Sequence, residues 1–159
     1  MLLTIARSRL VEQYPLGMTL IDRASSIDFD EICELDEFVS SGPSRRRTIG
    51  PALAQGRCAV ARVDGRVRGF LVMGEFFGHG FVELLIVHPD FRRRGIASSL
   101  MRSAELDAPT EKLFASTNQS NLPMRNLCER LGFVKSGVVE NLDEGDPEII
   151  YYKRVTPGP

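Results

Sequence analysis

The sequence predicts a mixed α/β fold, a central sheet with helices on both faces, and three observations carry that prediction. Two β-rich runs flank Asp64-Gly65, a dipeptide that supplies the positive φ of a tight hairpin turn. A near-continuous apolar stretch, "FVELLIV" (Phe81–Val87), reads as a central strand covered on both sides. A charged glycine turn and an amphipathic helix follow it, and strand-like and helix-like periodicities then alternate to the end of the chain. Hairpins mixed with crossovers point to a mixed sheet.

Each element follows in chain order. Met1 to Gly17 has no clean period and ends in "YPLG", so residues 1–17 are assigned as an N-terminal extension and 18–156 as a single domain. "MTLIDRA" alternates like a strand. "FDEICELDEF" spaces Phe29, Ile32, Cys33 and Leu35 along one helical face, and "SSGPS" then breaks the chain. A shorter helix is expected within Arg45–Gln55, weakened by Gly50 and Pro51. Two strands around Asp64-Gly65 come next, and a third is expected from Phe81 after a Gly78-His79-Gly80 turn. Ala97, Leu100, Met101 and Ala104 form the apolar face of a helix ending near Asp107 and Pro109. "KLFAST" is a strand. Asn121 is expected to N-cap a helix that carries Met124, Leu127, Cys128 and Leu131 on one face and stops at Gly132. Two strands joined by the turn "DEGDP" complete the order β, α, α, β, β, β, α, β, α, β, β.

Composition limits the function classes. A chain of 159 residues with 43% apolar and 26% charged residues is an ordinary soluble domain. A net charge of −1 and a pI near 6.1 give no global basic field for nucleic acid. Cys33, Cys58 and Cys128 are scattered, with no CxxC pair and only two histidines, so neither a metal site nor a disulfide framework is expected. The start "MLLTIARSRL" lacks the order of a secretory signal, and no run reaches membrane-spanning length. A reduced, cytoplasmic setting is the expectation.

The segment "HPDFRRRGIASSLM" carries the chemistry. Three arginines crowd the start of a helix, the end whose dipole already bears positive partial charge, so an anion is expected there. The first N–H groups of a helix starting at Gly95 are unpaired and converge. Gly95 lets the backbone approach a ligand, Ala97 keeps the first turn narrow, and Arg92, Arg93 and Arg94 add charge suited to phosphate. There is no G-x-x-x-x-G-K-[ST] and no G-x-G-x-x-G, so neither common nucleotide loop is supported. The plain alternative is a solvated arginine turn.

These residues resemble the acyl-CoA loop of the Gcn5-related N-acetyltransferases (GNAT), [Q/R]-x-x-G-x-[G/A], at Arg92, Gly95 and Ala97. "STNQSNLPMRNLCERLGF" is similar to the family's Asn-initiated helix ending in Leu-Gly-Phe. The resemblance covers about Val82 to Tyr152 and implies a mostly antiparallel sheet whose parallel strands four and five splay apart. It also implies acetyl-CoA as co-substrate, with no metal. Main-chain groups near Leu85, Ile86 and Val87 would pair with the pantetheine arm. Backbone N–H groups of Arg93, Arg94, Gly95, Ile96, Ala97 and Ser98 would receive the pyrophosphate, and Asn121 would both cap its helix and contact the cofactor.

Transfer to an amine needs the neutral amine, whereas a lysine-type amine has a pKa of about 10.4. Glu83 is the candidate base, taken to share a strand face with Leu85 and Val87. The other reading of Glu83 is a surface glutamate paired with arginine. His79 and His88 are weaker candidates, His88 being read as structural. A backbone N–H around Val87 is the implied oxyanion donor. Many family members place a tyrosine where this chain has Cys128, which is read either as an acid or, preferably, as core packing. Tyr151, Tyr152 or water then supplies the thiolate's proton. The acidic run Glu140–Glu148 is either an attractor for a cationic amine or a turn rich in turn formers.

The leading expectation is an N-acetyltransferase acting by direct attack in a ternary complex. Its acceptor is an amine-bearing small molecule or peptide, with neither nucleic acid nor membrane as partner. The alternative is a catalytically weak acyl-CoA-binding sensor. A homodimer is compatible with either.

Overall fold

The computed structural model describes residues 16–157. The extension expected over residues 1–17 falls almost entirely outside the described residues. Among the described residues, seven strands and four α-helices occur in the expected order: β1 (Thr19–Arg23), α1 (Phe29–Ser40), α2 (Arg46–Ala54), β2 (Cys58–Val63), β3 (Arg66–Phe76), β4 (His79–Val87), α3 (Ile96–Leu106), β5 (Lys112–Asn118), α4 (Leu122–Arg130), β6 (Val134–Val139) and β7 (Glu148–Arg154). They form one sheet in the order β1-β2-β3-β4-β5-β7-β6.

Every neighbouring pair is antiparallel except β4 and β5, which are parallel. The β2–β3 hairpin turns through Asp64 (φ 51°) and Gly65 (φ 76°), the double left-handed turn that matches strand twist. The next turn lies two residues earlier than the glycines suggest. Phe77 (φ 50°) and Gly78 (φ 77°) make it, and His79 already pairs with Phe76.

Two apolar clusters sandwich the sheet. On one face α3 and α4 bring Ile96, Leu100, Met101, Ala104, Leu127 and Cys128 onto Leu71, Val82, Leu113, Ala115 and Tyr151. On the other, α1 and α2 bring Ile32, Cys33, Leu35, Ile49 and Leu53 onto Val60, Phe70 and Val72. Pro51 does not prevent α2, because Ile49, Ala52 and Leu53 are buried and tertiary packing outweighs propensity. The principal sheet contacts of α1 and α2 are with β2, β3 and β4. Among the described residues, the α1/α2 face of β5, β7 and β6 has no principal helix contact, whereas β5 packs on α4 on the opposite face.

The α1–α2 connection is fixed by charge. The fully buried Asp36 carboxylate accepts from the Arg45 backbone N–H at 2.8 Å and pairs with the Arg45 guanidinium. Arg46 pairs with Asp30 at 3.7 Å and lies over the Phe29 ring. Arg45 and Arg46 thus have intramolecular partners.

Candidate active site

The site is built where β4 and β5 part. Their pairing is confined to Gly80–Leu113, Phe81–Phe114 and Val82–Ala115. Beyond that point each strand continues without the other, to Val87 and to Asn118. His88 N–H donates to Arg68 O at 2.8 Å, which sets the alternation of β4 against β3. Leu85 and Val87 therefore turn their main-chain groups toward the gap, while Ile86 turns its own toward β3. Of the three residues expected to meet an extended arm, Leu85 and Val87 face the gap with their main-chain groups and Ile86 faces β3.

Glu83 sits at a β-bulge. Met73 pairs with Val82 and Val72 with Leu84, which leaves Glu83 as the extra residue. The bulge corrects one expectation. Leu85 and Val87 pack on the α3/α4 core, but the Glu83 side chain lies over Gly74, whose strand partner Phe81 stands on the α1/α2 face. The bulge shifts the alternation by one residue, so Glu83 points away from Leu85 and Val87.

Past β4 the chain makes a 3-10 turn at Pro89–Phe91, with Asp90 N–H donating to His88 Nδ1 at 3.2 Å. His88 also stacks on Phe38 at 5.0 Å, tying the end of α1 to this turn. These contacts give His88 a structural role. Arg93 (φ 60°) and Gly95 (φ 81°) both take left-handed backbone. Such residues turn successive N–H groups inward, the nest geometry of anion sites. Among the described residues, no acceptor meets the backbone N–H groups from Arg93 to Ser98. Ile96 is buried and anchors the helix, whereas Ala97 and Ser98 are partly open on its first turn.

The arginines themselves are exposed. Arg92 Nε donates to Val87 O at 3.2 Å. Arg94 lies 4.9 Å from the Phe91 ring centroid and Arg68, on β3, 4.6 Å from the same ring. Nothing in the local sequence links Arg68 to this turn, because pairing of β3 with β4 brings it there.

Asn121 caps α4, its Oδ1 accepting from Met124 N–H at 3.2 Å. The side chain is exposed, which leaves its amide nitrogen free for a further contact. Cys128 is fully buried in the α3/α4 core. Burial, aided by the Glu129 charge, pushes its thiol up to about 12. Its surroundings are the side chains of the α3/α4 core. Tyr151 is buried in the same core and its hydroxyl donates to Glu129 Oε1 at 3.4 Å. Tyr152 faces the opposite side, 5.6 Å from Phe114. His79 Nδ1 is 2.8 Å from Thr110 Oγ1, so its ring is held away from the splay.

Two carboxylates of the acidic run do structural work. Asp143 accepts from Asn118 Nδ2 at 2.7 Å, and Asp146 accepts from Ser120 N–H and Oγ at 2.9 and 2.6 Å. They bind the β6–β7 loop to the mouth of the splay. Among the described residues, no group of three His, Cys, Asp or Glu side chains is arranged to hold a metal ion, and no helix is long and apolar enough to cross a membrane.

An opened strand pair thus ends beside a run of unpaired backbone N–H groups, with the Glu83 carboxylate on the opposite face of β4. The model of the acetyltransferase (GNAT) family matches residues 21–133. A GNAT-family acetyltransferase from Bacillus cereus is 44% identical with a TM-score of 0.84, the match covering 88% of this chain and 99% of that one. The ribosomal-protein-S18-alanine N-acetyltransferase from Escherichia coli shares the fold at 17% identity, with a TM-score of 0.75 over 87% of this chain and 95% of that one. A streptothricin acetyltransferase from Bacillus anthracis, solved with acetyl coenzyme A, is 18% identical with a TM-score of 0.55, covering 61% of each chain. The chain belongs to the GNAT acetyltransferase family and is an acyltransferase.

Proposed function

We propose that this enzyme moves an acetyl group from acetyl-CoA to a primary amine by direct attack in a ternary complex. One observation carries the reading: β4 and β5 separate after Val82 and Ala115, beside a run of free N–H groups at the start of α3. The residues present fit the cofactor. N–H groups from Arg93 to Ser98 receive the pyrophosphate, Arg92, Arg93 and Arg94 add charge around it, and Asn121 contacts the cofactor beside its helix cap. Leu85 and Val87 offer main-chain partners to the pantetheine arm. The thioester supplies an activated acetyl carbon.

The chain's own residues do the rest. Glu83, on the α1/α2 face, takes the ammonium proton from an amine arriving on that face, opposite the core on which Leu85 and Val87 pack. Val87 N–H steadies developing negative charge on the carbonyl oxygen. Cys128 packs the core, and water or Tyr151 returns a proton to the thiolate. A second reading, slow turnover by a domain that chiefly holds acyl-CoA, draws on the high thiol pKa of Cys128 at the family's tyrosine position.

Thiol release from acetyl-CoA across an amine panel tests the proposal. Release above the hydrolytic background with at least one amine, lost in Glu83→Gln at neutral pH, is the expected result. Tight acetyl-CoA binding without release across the panel would sink it.

A further inference from the structure

The α1/α2 face carries a row of aromatic rings that the mechanism leaves unused. Phe76, Phe81, Phe114 and Tyr152 come from four different strands. Their centroids stand 5.7 Å (Phe76–Phe81), 5.2 Å (Phe76–Phe114) and 5.6 Å (Phe114–Tyr152) apart. Each ring is half-buried and belongs to neither core cluster. The helices on this face pack principally on β2 to β4, and among the described residues the rings lean on one another and stay partly exposed. A row of partly exposed rings in mutual contact offers their faces to an aromatic or cationic ligand.

The row meets negative charge at one end. Phe81 and Glu83 line a cavity of about 700 Å³ together with Gly74, Glu75, His79 and Arg57. That volume suits a small molecule. Arg57 is held in place by Gln55 Oε1, at 2.7 Å, and by Met73 O. Two carboxylates and one tethered guanidinium leave the cavity one charge negative. Glu83 links this cavity to the reaction centre, since it follows Val82, the last residue of β4 paired with β5.

We propose that the acceptor is an aralkylamine, a primary ammonium a few bonds from an aromatic body. This rests on the acetyl-transfer reading, since it names the acceptor of that same site. The ring lies on the aromatic row, and the ammonium sits between Glu83 and the ring faces, where carboxylate and π-cloud both favour a cation. A polyhydroxylated or polyamine acceptor would instead desolvate polar groups against the rings without giving them partners. In the transfer, the amine nitrogen bonds to the acetyl carbon as the carbon–sulfur bond breaks. One ammonium proton passes to Glu83 before attack, and the second proton that nitrogen sheds as the amide forms goes to solvent, which protonates the departing thiolate.

Two amines of equal charge, 2-phenylethylamine and ethylamine, test the proposal when each is titrated calorimetrically into the full-length protein saturated with CoA. The aromatic amine is expected to bind roughly tenfold more tightly or better. Phe114→Leu should bring the two amines near parity while leaving acetyl-CoA affinity as it was. Tyr152→Leu repeats the test from another strand, in case the first substitution disturbs β5. Equal binding to the native protein, or a preference that survives both substitutions, overturns the proposal. Thiol release is scored separately. Ring-dependent binding with no release from either amine supports the aromatic site and removes the transfer reading, whereas equal affinity with brisk release from both does the reverse.

Discussion

A β-carbon placed on Gly74 would stand 2.8 Å from Oε2 of Glu83, so the absence of a side chain at one strand position lets the carboxylate of the next strand lie where it does. The close atom is the far end of a flexible side chain, and Gly74→Ala should therefore fold normally with Glu83 swung aside. If Glu83 is the base, Gly74→Ala lowers kcat roughly tenfold at neutral pH and Glu83→Gln lowers it by about a hundredfold or more, the usual scale of general-base loss. Acetyl-CoA affinity should not change in either protein. Steady-state kinetics with a pH profile decide the matter, and a Gly74→Ala enzyme with native rates would separate Glu83 from the chemistry.

Gly95 makes the second prediction. Its φ of 81° strains any residue with a β-carbon, yet that β-carbon would meet no atom within 4 Å. Asparagine tolerates left-handed backbone better than other residues, so Gly95→Asn should keep the fold while its side chain fills the cradle beside the N–H groups. Acetyl-CoA affinity is expected to fall at least about tenfold, the effect of losing ~1.4 kcal/mol of anion contacts. Gly95→Val should lose affinity as well and also cost about 1–2 kcal/mol of stability through backbone strain. Calorimetric titration paired with thermal unfolding checks both effects. Native affinity in Gly95→Asn would detach the helix start from cofactor binding.

Cys128 separates packing from catalysis. Its side chain is 0% exposed, so Cys128→Ala should cost about 1 kcal/mol of stability and leave kcat unchanged. Cys128→Tyr restores the residue usual in the family but forces a large ring into a filled core, at about 1–3 kcal/mol. A fall in kcat for the alanine variant, beyond what its stability explains, would return Cys128 to the mechanism.

The element order was legible because each element carries its own period. Asp64-Gly65 announces a hairpin, Asn121 a cap, and the spacing from Ala97 to Ala104 a helix face. The side on which Glu83 points was not legible. A bulge is a property of the register between β3 and β4, and the apolar run of β4 has no polar alternation that would reveal a one-residue shift. The early turn at Phe77-Gly78 was masked for a similar reason, since a phenylalanine with positive φ leaves no trace in composition. The aromatic row could not be read at all, because Phe76, Phe81, Phe114 and Tyr152 meet only through strand order. Where β5 leaves β4 was visible only through resemblance to the GNAT family.

The buried thiols set the last prediction, which concerns alkaline pH. Burial is the main cause at both sites: Cys58 is raised from an ordinary 9.0 to about 11, with Glu83 adding to the effect and Arg57 opposing it, and Cys128 is raised to about 12. In the unfolded chain these thiols ionise near pH 9, while in the native chain they keep their protons well above it. Between those values the native state binds more protons than the unfolded state, so their contribution is fully present below pH 9 and is lost as pH rises toward 11 and beyond. Denaturant midpoints measured from pH 8 to 11 should therefore fall, and a Cys58→Ala, Cys128→Ala double variant should fall less steeply although it starts from lower stability. Tyrosine and lysine titrate in the same range, which makes the difference in slope between the two proteins the quantity to read. Identical slopes would mean that the thiols ionise in the native fold as readily as in the unfolded chain.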